Sequence, residues 1–299
     1  MKPVARAAVI ARPTLASRLA DYLELTKPRL NALTIAATLA ALYLASPGLP
    51  DPRLLVHVFL ATSCVAGAAS ALNQVLERRR DALMERTADR PLPAGRLTPT
   101  AAAVFGLLLG AAGVVWFALV VNTLSAWLAA VTLATYLLVY TPLKTRTWLN
   151  TLAGAVPGAL PLPLGWAAAG GSLDPVVGIL FAIVFCWQVP HFFAIATVYK
   201  DDYAAGGFAM LPVIDTRGRS TSTMVQLFTL MLVPLAPAPF WFGLTGTVYP
   251  IVAAALGVGF MGFAVLYARR RTAQDARRLF YASIVYLPLL LIVMMLDKT

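Results

Sequence analysis

The chain has 299 residues, of which 60% are hydrophobic and 12% charged, and its formal net charge is +11 at neutral pH. Soluble domains carry about 25% charge, so this composition excludes an ordinary soluble fold. It also argues against a nucleic-acid partner for the positive charge, because no soluble basic domain exists to present it.

Residues 1–24 read as a cytoplasmic amino-terminal tail. Arg6 and Arg12 interrupt its one apolar run, so the tail lacks the central apolar stretch of a secretory signal. The absence of acids before Asp21 also admits a transit-peptide reading. Residues 25–299 read as a single transmembrane domain with nine spans, at about 30–46, 54–73, 99–121, 124–141, 149–169, 175–198, 222–242, 248–267 and 279–296. Each is long enough to cross a hydrocarbon core about 30 Å thick. Lipid offers the backbone no hydrogen-bond partners, and these runs lack a barrel's alternation, so all nine are expected to be helices. The expected fold is therefore an all-α polytopic membrane protein.

Orientation follows from the cations. With the amino terminus inside, the inner segments 1–29, 74–98, 142–148, 199–221 and 268–278 hold 22 of the 24 Lys and Arg, leaving Arg53 and Lys298 outside. That bias sets the amino terminus in the cytoplasm and the carboxyl terminus outside. Cys64 and Cys186 fall within spans and read as packing residues. His57 lies near the outer surface, away from the charged segments.

The charged segment after the second span, "NQVLERRRDALMERTADRPLPAGR" (73–96), holds six Lys/Arg and four of the 13 acids. Asn73, Glu77 and Asp81 stand at i, i+4 and i+8, along one face of a helix. Oxygen donors in such a row suit Mg²⁺, which takes one or two carboxylates and leaves places for water and phosphate. Arg86 and Arg90 follow with donors that fit phosphate oxygens, and Pro91 and Pro93 end any helix there. A second acidic segment, "YKDDYAAGGFAMLPV" (199–213), follows the sixth span with Asp201 and Asp202, and Gly206–Gly207 permits a sharp turn.

Acidic segments thus follow spans two and six, and basic ones follow spans four and eight. That spacing suggests two four-helix halves plus a ninth helix around a central cavity. Facing carboxylates with Arg86, Arg90, Lys144 and Arg146 nearby describe a Mg²⁺–diphosphate clamp over an apolar cavity, and an isoprenyl diphosphate fits it. The fifth span, rich in Pro and Gly, is expected to line that cavity.

At these residues the chain resembles the UbiA superfamily of intramembrane prenyltransferases. Its Asn-x-x-x-Asp-x-x-x-Asp motif is matched by Asn73, Glu77 and Asp81. Within the superfamily, "NQVLERRRDALMERTADRP", "LTKPR" (25–29), "YTPLKTRTWLN" (140–150), "WQVPHFFAIA" (187–196) and "DDYAAGGFAMLP" resemble the protohaem IX farnesyltransferase (haem O synthase) family. The likeness covers roughly 25–215, and the last three spans match in hydropathy only. Two departures stand out. Ala209 replaces a usual Pro, which implies a less rigid loop after Asp202, and Thr145 stands where Arg is common.

The resemblance implies Mg²⁺-dependent transfer of the farnesyl group of farnesyl diphosphate to a vinyl group of haem B, forming haem O and diphosphate. It assigns Asn73, Glu77, Asp81, Asp201 and Asp202 to the metal–diphosphate complex. Arg86, Arg90, Lys144, Arg146 and Lys27 fall to the phosphate oxygens. His191, Arg29 and Trp187 are candidates for haem contact, with imidazole available as an axial ligand. Trp187, Phe192, Phe193, Tyr199 and Tyr203 are expected along the approach to the second acidic motif.

The alternatives are a prenyltransferase of the same superfamily acting on an aromatic quinone precursor, and a transporter. A transporter would place its ionisable groups near the bilayer midplane, whereas these lie at cytoplasmic helix ends. The expected location is the bacterial inner membrane, or the mitochondrial inner membrane in a eukaryote. The bilayer, haem A synthase and oxidase assembly factors are the expected partners.

Overall fold

The structure is a computed structural model that describes residues 14–299. Residues 1–13 of the expected tail lie outside the described residues. A first short helix, α1 (Leu15–Leu25), begins at a Thr14 cap and runs across the expected end of the tail. The spans follow as α2 (Pro28–Ala45), α3 (Pro52–Asp81), α4 (Pro99–Val121) and α5 (Thr123–Leu143). The fifth expected span is two short helices, α6 (Asn150–Ala159) and α7 (Pro161–Ala168), broken at Leu160. Next come α8 (Pro175–Val198), two short cytoplasmic helices α9 (Lys200–Ala205) and α10 (Leu211–Ile214), and α11 (Arg219–Leu235). The chain ends with α12 (Val248–Arg270) and α13 (Ala273–Leu296).

Among the described residues, eight helices are long and apolar enough to cross a bilayer. The α6–α7 pair is too broken to count among them, and it is compatible with a ninth passage. Helix starts follow simple rules. Proline occupies the first turn of α2, α3, α4, α7 and α8, where no amide donor is needed. Asp51, Thr98, Asn122, Asp174 and Thr272 accept backbone N–H groups as caps.

Small residues let helices approach closely. Gly106, Gly110 and Gly113 on α4 lie against Leu72, Ala68 and Val65 on α3, as expected where lipid supplies no hydrophobic drive between helices. Gly165 on α7 sits against the backbone of α2, and a Cβ there would stand 1.9 Å from the Thr38 carbonyl oxygen. Helices α2 to α5 pack on one another, α8, α11, α12 and α13 form a second group, and α13 also touches α2.

Between the groups lies a cavity of about 450 Å³ with walls from α2, α3, α5, α6, α7 and α8. Its size is in the range of small-molecule sites. The expectation that the Pro- and Gly-rich fifth span lines the cavity is met by Gly154, Pro157, Gly158 and Pro161.

Ala88 and Ala273 are both exposed, in the loop after α3 and at the start of α13. In intact cells carrying a chain without Cys64 and Cys186, a cysteine placed at either position should resist an impermeant thiol reagent added outside. Ready labelling would invert the orientation argued from the cations.

Candidate functional site

Asn73, Glu77 and Asp81 occupy the last three turns of α3, each less than 10% exposed. The row read from the spacing is therefore a row in space. Each member has a side-chain partner outside α3. Asn73 Nδ2 donates to Thr141 Oγ1 at 3.2 Å. Glu77 Oε1 lies 2.7 Å from Lys144 Nζ, and Asp81 Oδ2 lies 2.8 Å from Arg90. Two of the cations expected on phosphate thus stand on the carboxylates. Lys144 also sits 4.5 Å above the Tyr140 ring.

The helix ends at Asp81, ahead of Pro91 and Pro93. The cause is local: Thr87 turns its hydroxyl back onto the Asp81 carbonyl at 2.7 Å, giving that helix-end acceptor a partner other than a further turn.

The loop after α8 meets the loop after α3. Asp202 Oδ1 accepts the backbone N–H of Glu85 at 3.0 Å, and Arg80 donates to the Gly206 carbonyl at 3.0 Å. Gly207 has φ +66°, with Arg80 against it, a turn that suits glycine. Arg86 stacks over Tyr199 at 5.0 Å and Tyr203 at 5.8 Å.

The loop after α5 joins them. Ala209 N–H donates to the Lys144 carbonyl at 2.7 Å, and Asn150 Nδ2 donates to the Ala209 carbonyl at 3.1 Å. A proline at 209 would lack that N–H. The departure expected to loosen the loop supplies a tether instead.

Lys27 lies between α1 and α2 with φ 48°, an uncommon backbone for a residue with a Cβ. Burial, with Arg90 and Lys144 nearby, lowers its pKa to about 7. Lys27, Arg29, Arg86 and Arg90 share a second, more open pocket with Glu24 and Gln74. Arg146 and Asp201 are exposed, and neither side chain makes an ion pair or hydrogen bond among the described residues.

Arg96, a residue given no role from the sequence, pairs with Asp21 at 2.7 Å, Glu24 at 2.8 Å and Asp89 at 3.4 Å. It fastens α1 to the loop that carries Arg86 and Arg90.

Beneath the charged layer, Trp187, His191, Phe192 and Tyr203 line the cavity. Phe193 does not; it is fully buried in the packing behind. Trp187 stacks on His191 with centroids 4.9 Å apart, and both are tied to Ser283 on α13. Tyr136, Tyr140, Asn150 and Gln188 also line the cavity without having been singled out from the sequence. Tyr136, Tyr140 and Lys144 do carry a signal, being spaced by four.

The donor set suits a hard divalent cation: an amide and carboxylates, all oxygen donors. Glu77 Oε1 contacts Lys144 yet receives no well-angled hydrogen bond, so it has capacity for a further partner. Among the described residues no three acids, histidines or cysteines converge into a ready-made metal group. The acids come from the end of α3 and from the short helix α9, and form a frame that a ligand would bridge.

Residues 34–287 match the UbiA prenyltransferase family. The chain is 43% identical over 287 residues to a protoheme IX farnesyltransferase of Solibacter usitatus, covering 93% of this chain and 98% of that one. It is 42% identical over 293 residues to the enzyme of that name from Anaeromyxobacter sp. strain Fw109-5, covering 98% of each. Among solved structures, a digeranylgeranylglyceryl phosphate synthase superposes with TM-score 0.79 at 18% identity, over 94% of this chain and 98% of that one. An Archaeoglobus fulgidus UbiA homologue bound to GPP and Mg²⁺ gives 0.64 at 15%, over 92% and 99%.

Proposed function

The chain belongs to the UbiA prenyltransferase family, and from that premise we propose that it transfers the farnesyl group of farnesyl diphosphate to a vinyl group of haem B, yielding haem O and diphosphate. The observation that carries this reading is identity above 40% along nearly the whole chain with two protoheme IX farnesyltransferases. The chain is a multi-pass membrane protein, set in the bacterial inner membrane with its amino terminus in the cytoplasm.

The bond between the allylic carbon and the diphosphate oxygen breaks, and its electron pair leaves with diphosphate. The terminal vinyl carbon of the porphyrin bonds to the allylic carbon. Water adds to the cation left beside the ring and loses a proton, giving a hydroxyethylfarnesyl group.

Asn73, Glu77, Asp81, Asp201 and Asp202 would hold Mg²⁺, which when bound neutralises charge on the departing diphosphate. Arg86, Arg90, Lys144, Arg146 and Lys27 bind phosphate oxygens, and Arg90 and Lys144 begin from carboxylates beside that place. The apolar cavity below takes the isoprenoid tail and the porphyrin, and it shields the allylic cation from water. Residues 25–299 act as one prenyltransferase unit.

Purified protein with Mg²⁺ and farnesyl diphosphate should convert haem B to a more hydrophobic haem that elutes later in reversed-phase chromatography. It should leave 4-hydroxybenzoate unchanged. Prenylated benzoate with unaltered haem would overturn the acceptor and leave only the family standing.

Lys27 adds a pH dependence. Its folded pKa of about 7 lies below the ordinary 10.5, so it is charged below pH 7 and neutral above. A neutral amine gives a phosphate no charge-assisted contact, worth about 1.5–3 kcal/mol. Affinity of the free protein for Mg²⁺–diphosphate should therefore fall about tenfold or more as pH rises from 6 to 8.5. Lys27→Met should bind weakly at both ends and flatten the profile. A Lys27→Met profile as steep as the parent's would remove Lys27 from the phosphate site.

A further inference from the structure

His191 lies on α8, seven residues before the helix ends at Val198, about 10 Å below the charged layer at 1.5 Å per residue. Its Nδ1 is 2.7 Å from Ser283 Oγ. Ser283 Oγ also lies 2.6 Å from the Phe280 carbonyl oxygen. Two oxygens that close require a hydrogen between them, and the carbonyl has none to give. The single hydroxyl hydrogen of Ser283 is thus committed to Phe280, and Ser283 Oγ can only accept from His191. Nδ1 therefore carries the proton.

The other nitrogen follows by elimination. His191 lines the cavity, whereas Ser283, fully buried, stands behind the ring and outside the wall. Nε2 therefore points inward, and it has no hydrogen-bond partner among the described residues. A proton on Nε2 as well would leave an unpaired donor and a charge facing apolar walls. The ring is neutral, with a free lone pair on Nε2. Its orientation is fixed from three sides: Trp187 stacks at 4.9 Å, Phe280 packs at 5.2 Å, and Ser283 holds Nδ1. The Ser283 backbone carbonyl also accepts Trp187 Nε1–H at 2.8 Å, so one residue anchors both members of the stack.

A neutral imidazole whose far nitrogen donates to a fixed acceptor is the arrangement that metal-ligating histidines adopt, since the acceptor sets the tautomer and raises the basicity of the ligating nitrogen. We infer that Ser283 is a positioning residue that holds His191 in its Nδ1–H form so that Nε2 ligates the iron of the haem acceptor. The inference rests on the haem reading of the cavity. The wall also offers Met210 and three tyrosines, side-chain types able to hold haem iron; His191 is distinguished by a lone pair already aimed and uncommitted.

The test uses the full chain in nanodiscs, titrated with haem B and read by optical, paramagnetic and resonance Raman spectra, with farnesyl transfer measured on the same samples. The parent should show a histidine-ligated iron. His191→Ala should lose that signature, and added imidazole should restore it. Ser283→Ala should keep ligation but lower the iron–histidine stretching frequency and weaken haem binding about tenfold, with farnesyl diphosphate affinity unchanged. Ser283→Thr, which keeps the hydroxyl, should restore the frequency.

An unaltered haem spectrum in His191→Ala would overturn the inference, as would an unaltered iron–histidine frequency in Ser283→Ala. If the parent farnesylates haem while His191→Ala keeps the parent spectrum, the inference falls and the haem reading stands. If the parent binds haem through His191 without turnover, the haem reading falls instead.

Discussion

Asp81→Asn and Asp202→Ala are each expected to lower prenyl transfer by on the order of 100-fold or more, the usual cost of losing a charge contact formed in the transition state. Asp81 ends the row on α3 and pairs with Arg90, while Asp202 caps the loop that leads from Asp81 to Arg86. Asparagine keeps the shape at 81 and removes the charge, so thermal unfolding should change little while turnover collapses. Glu77→Asp should be milder, because the wider superfamily carries the shorter acid there. Near-normal turnover of either variant at saturating Mg²⁺ would take that residue out of the clamp.

The largest expected effect on stability comes from Gly165. A Cβ at that position would stand 1.9 Å from the Thr38 carbonyl oxygen on α2 and 3.1 Å from Ala41. The first is a backbone atom and cannot rotate aside, so α2 and α7 would have to separate. Gly165→Ala should cost about 1–3 kcal/mol, as overpacking does, and should lower turnover because both helices line the cavity. Gly178→Ala is the control, since nothing lies within 4 Å of that position. Detergent-solubilised variants followed by intrinsic fluorescence on heating would show the difference. Equal unfolding temperatures for the two would refute the close approach of α2 and α7.

Much of the fold was legible because hydropathy and proline placement act locally. The span expected at 175–198 is α8 residue for residue, set by the Asp174 cap and Pro175 in the first turn. The fifth span was read as a cavity wall from its prolines, but not its break at Leu160. Composition does not say whether a proline sits inside one helix or begins the next.

Helix α1 falls almost wholly within residues 1–24, read as a tail because Arg6 and Arg12 interrupt the one apolar run there. Leu15, Leu19 and Leu23, each at least 60% exposed and spaced by four, carried the missing signal. The acidic row was legible because its spacing is local. The pairing of Glu77 with Lys144 was not, because it depends on how two distant segments meet, and that of Asp81 with Arg90 depends on how the loop after α3 folds back. Ser283 gave no sign at all: a single serine in an oily span looks like any packing residue until the ring beside it is placed.

The π-helical stretch Thr135–Tyr140 near the end of α5 has a consequence for the angle at which Lys144 arrives. A π turn holds one residue more than an α turn. Everything beyond it is advanced by one residue, about 100° of rotation about the helix axis. Thr141 reaches back across the wide turn to the Tyr136 carbonyl at 2.9 Å and takes the amide of Asn73. Lys144 follows three residues later and meets Glu77. Deleting one residue from "TYLLVY" would let the segment relax to an ordinary helix of nearly the same length and hydropathy. It would also swing the ammonium group roughly 100° around the axis, leaving a buried carboxylate without its cation. The azimuth of the site's most buried positive charge is thus set by the one surplus residue of the π-helical turn.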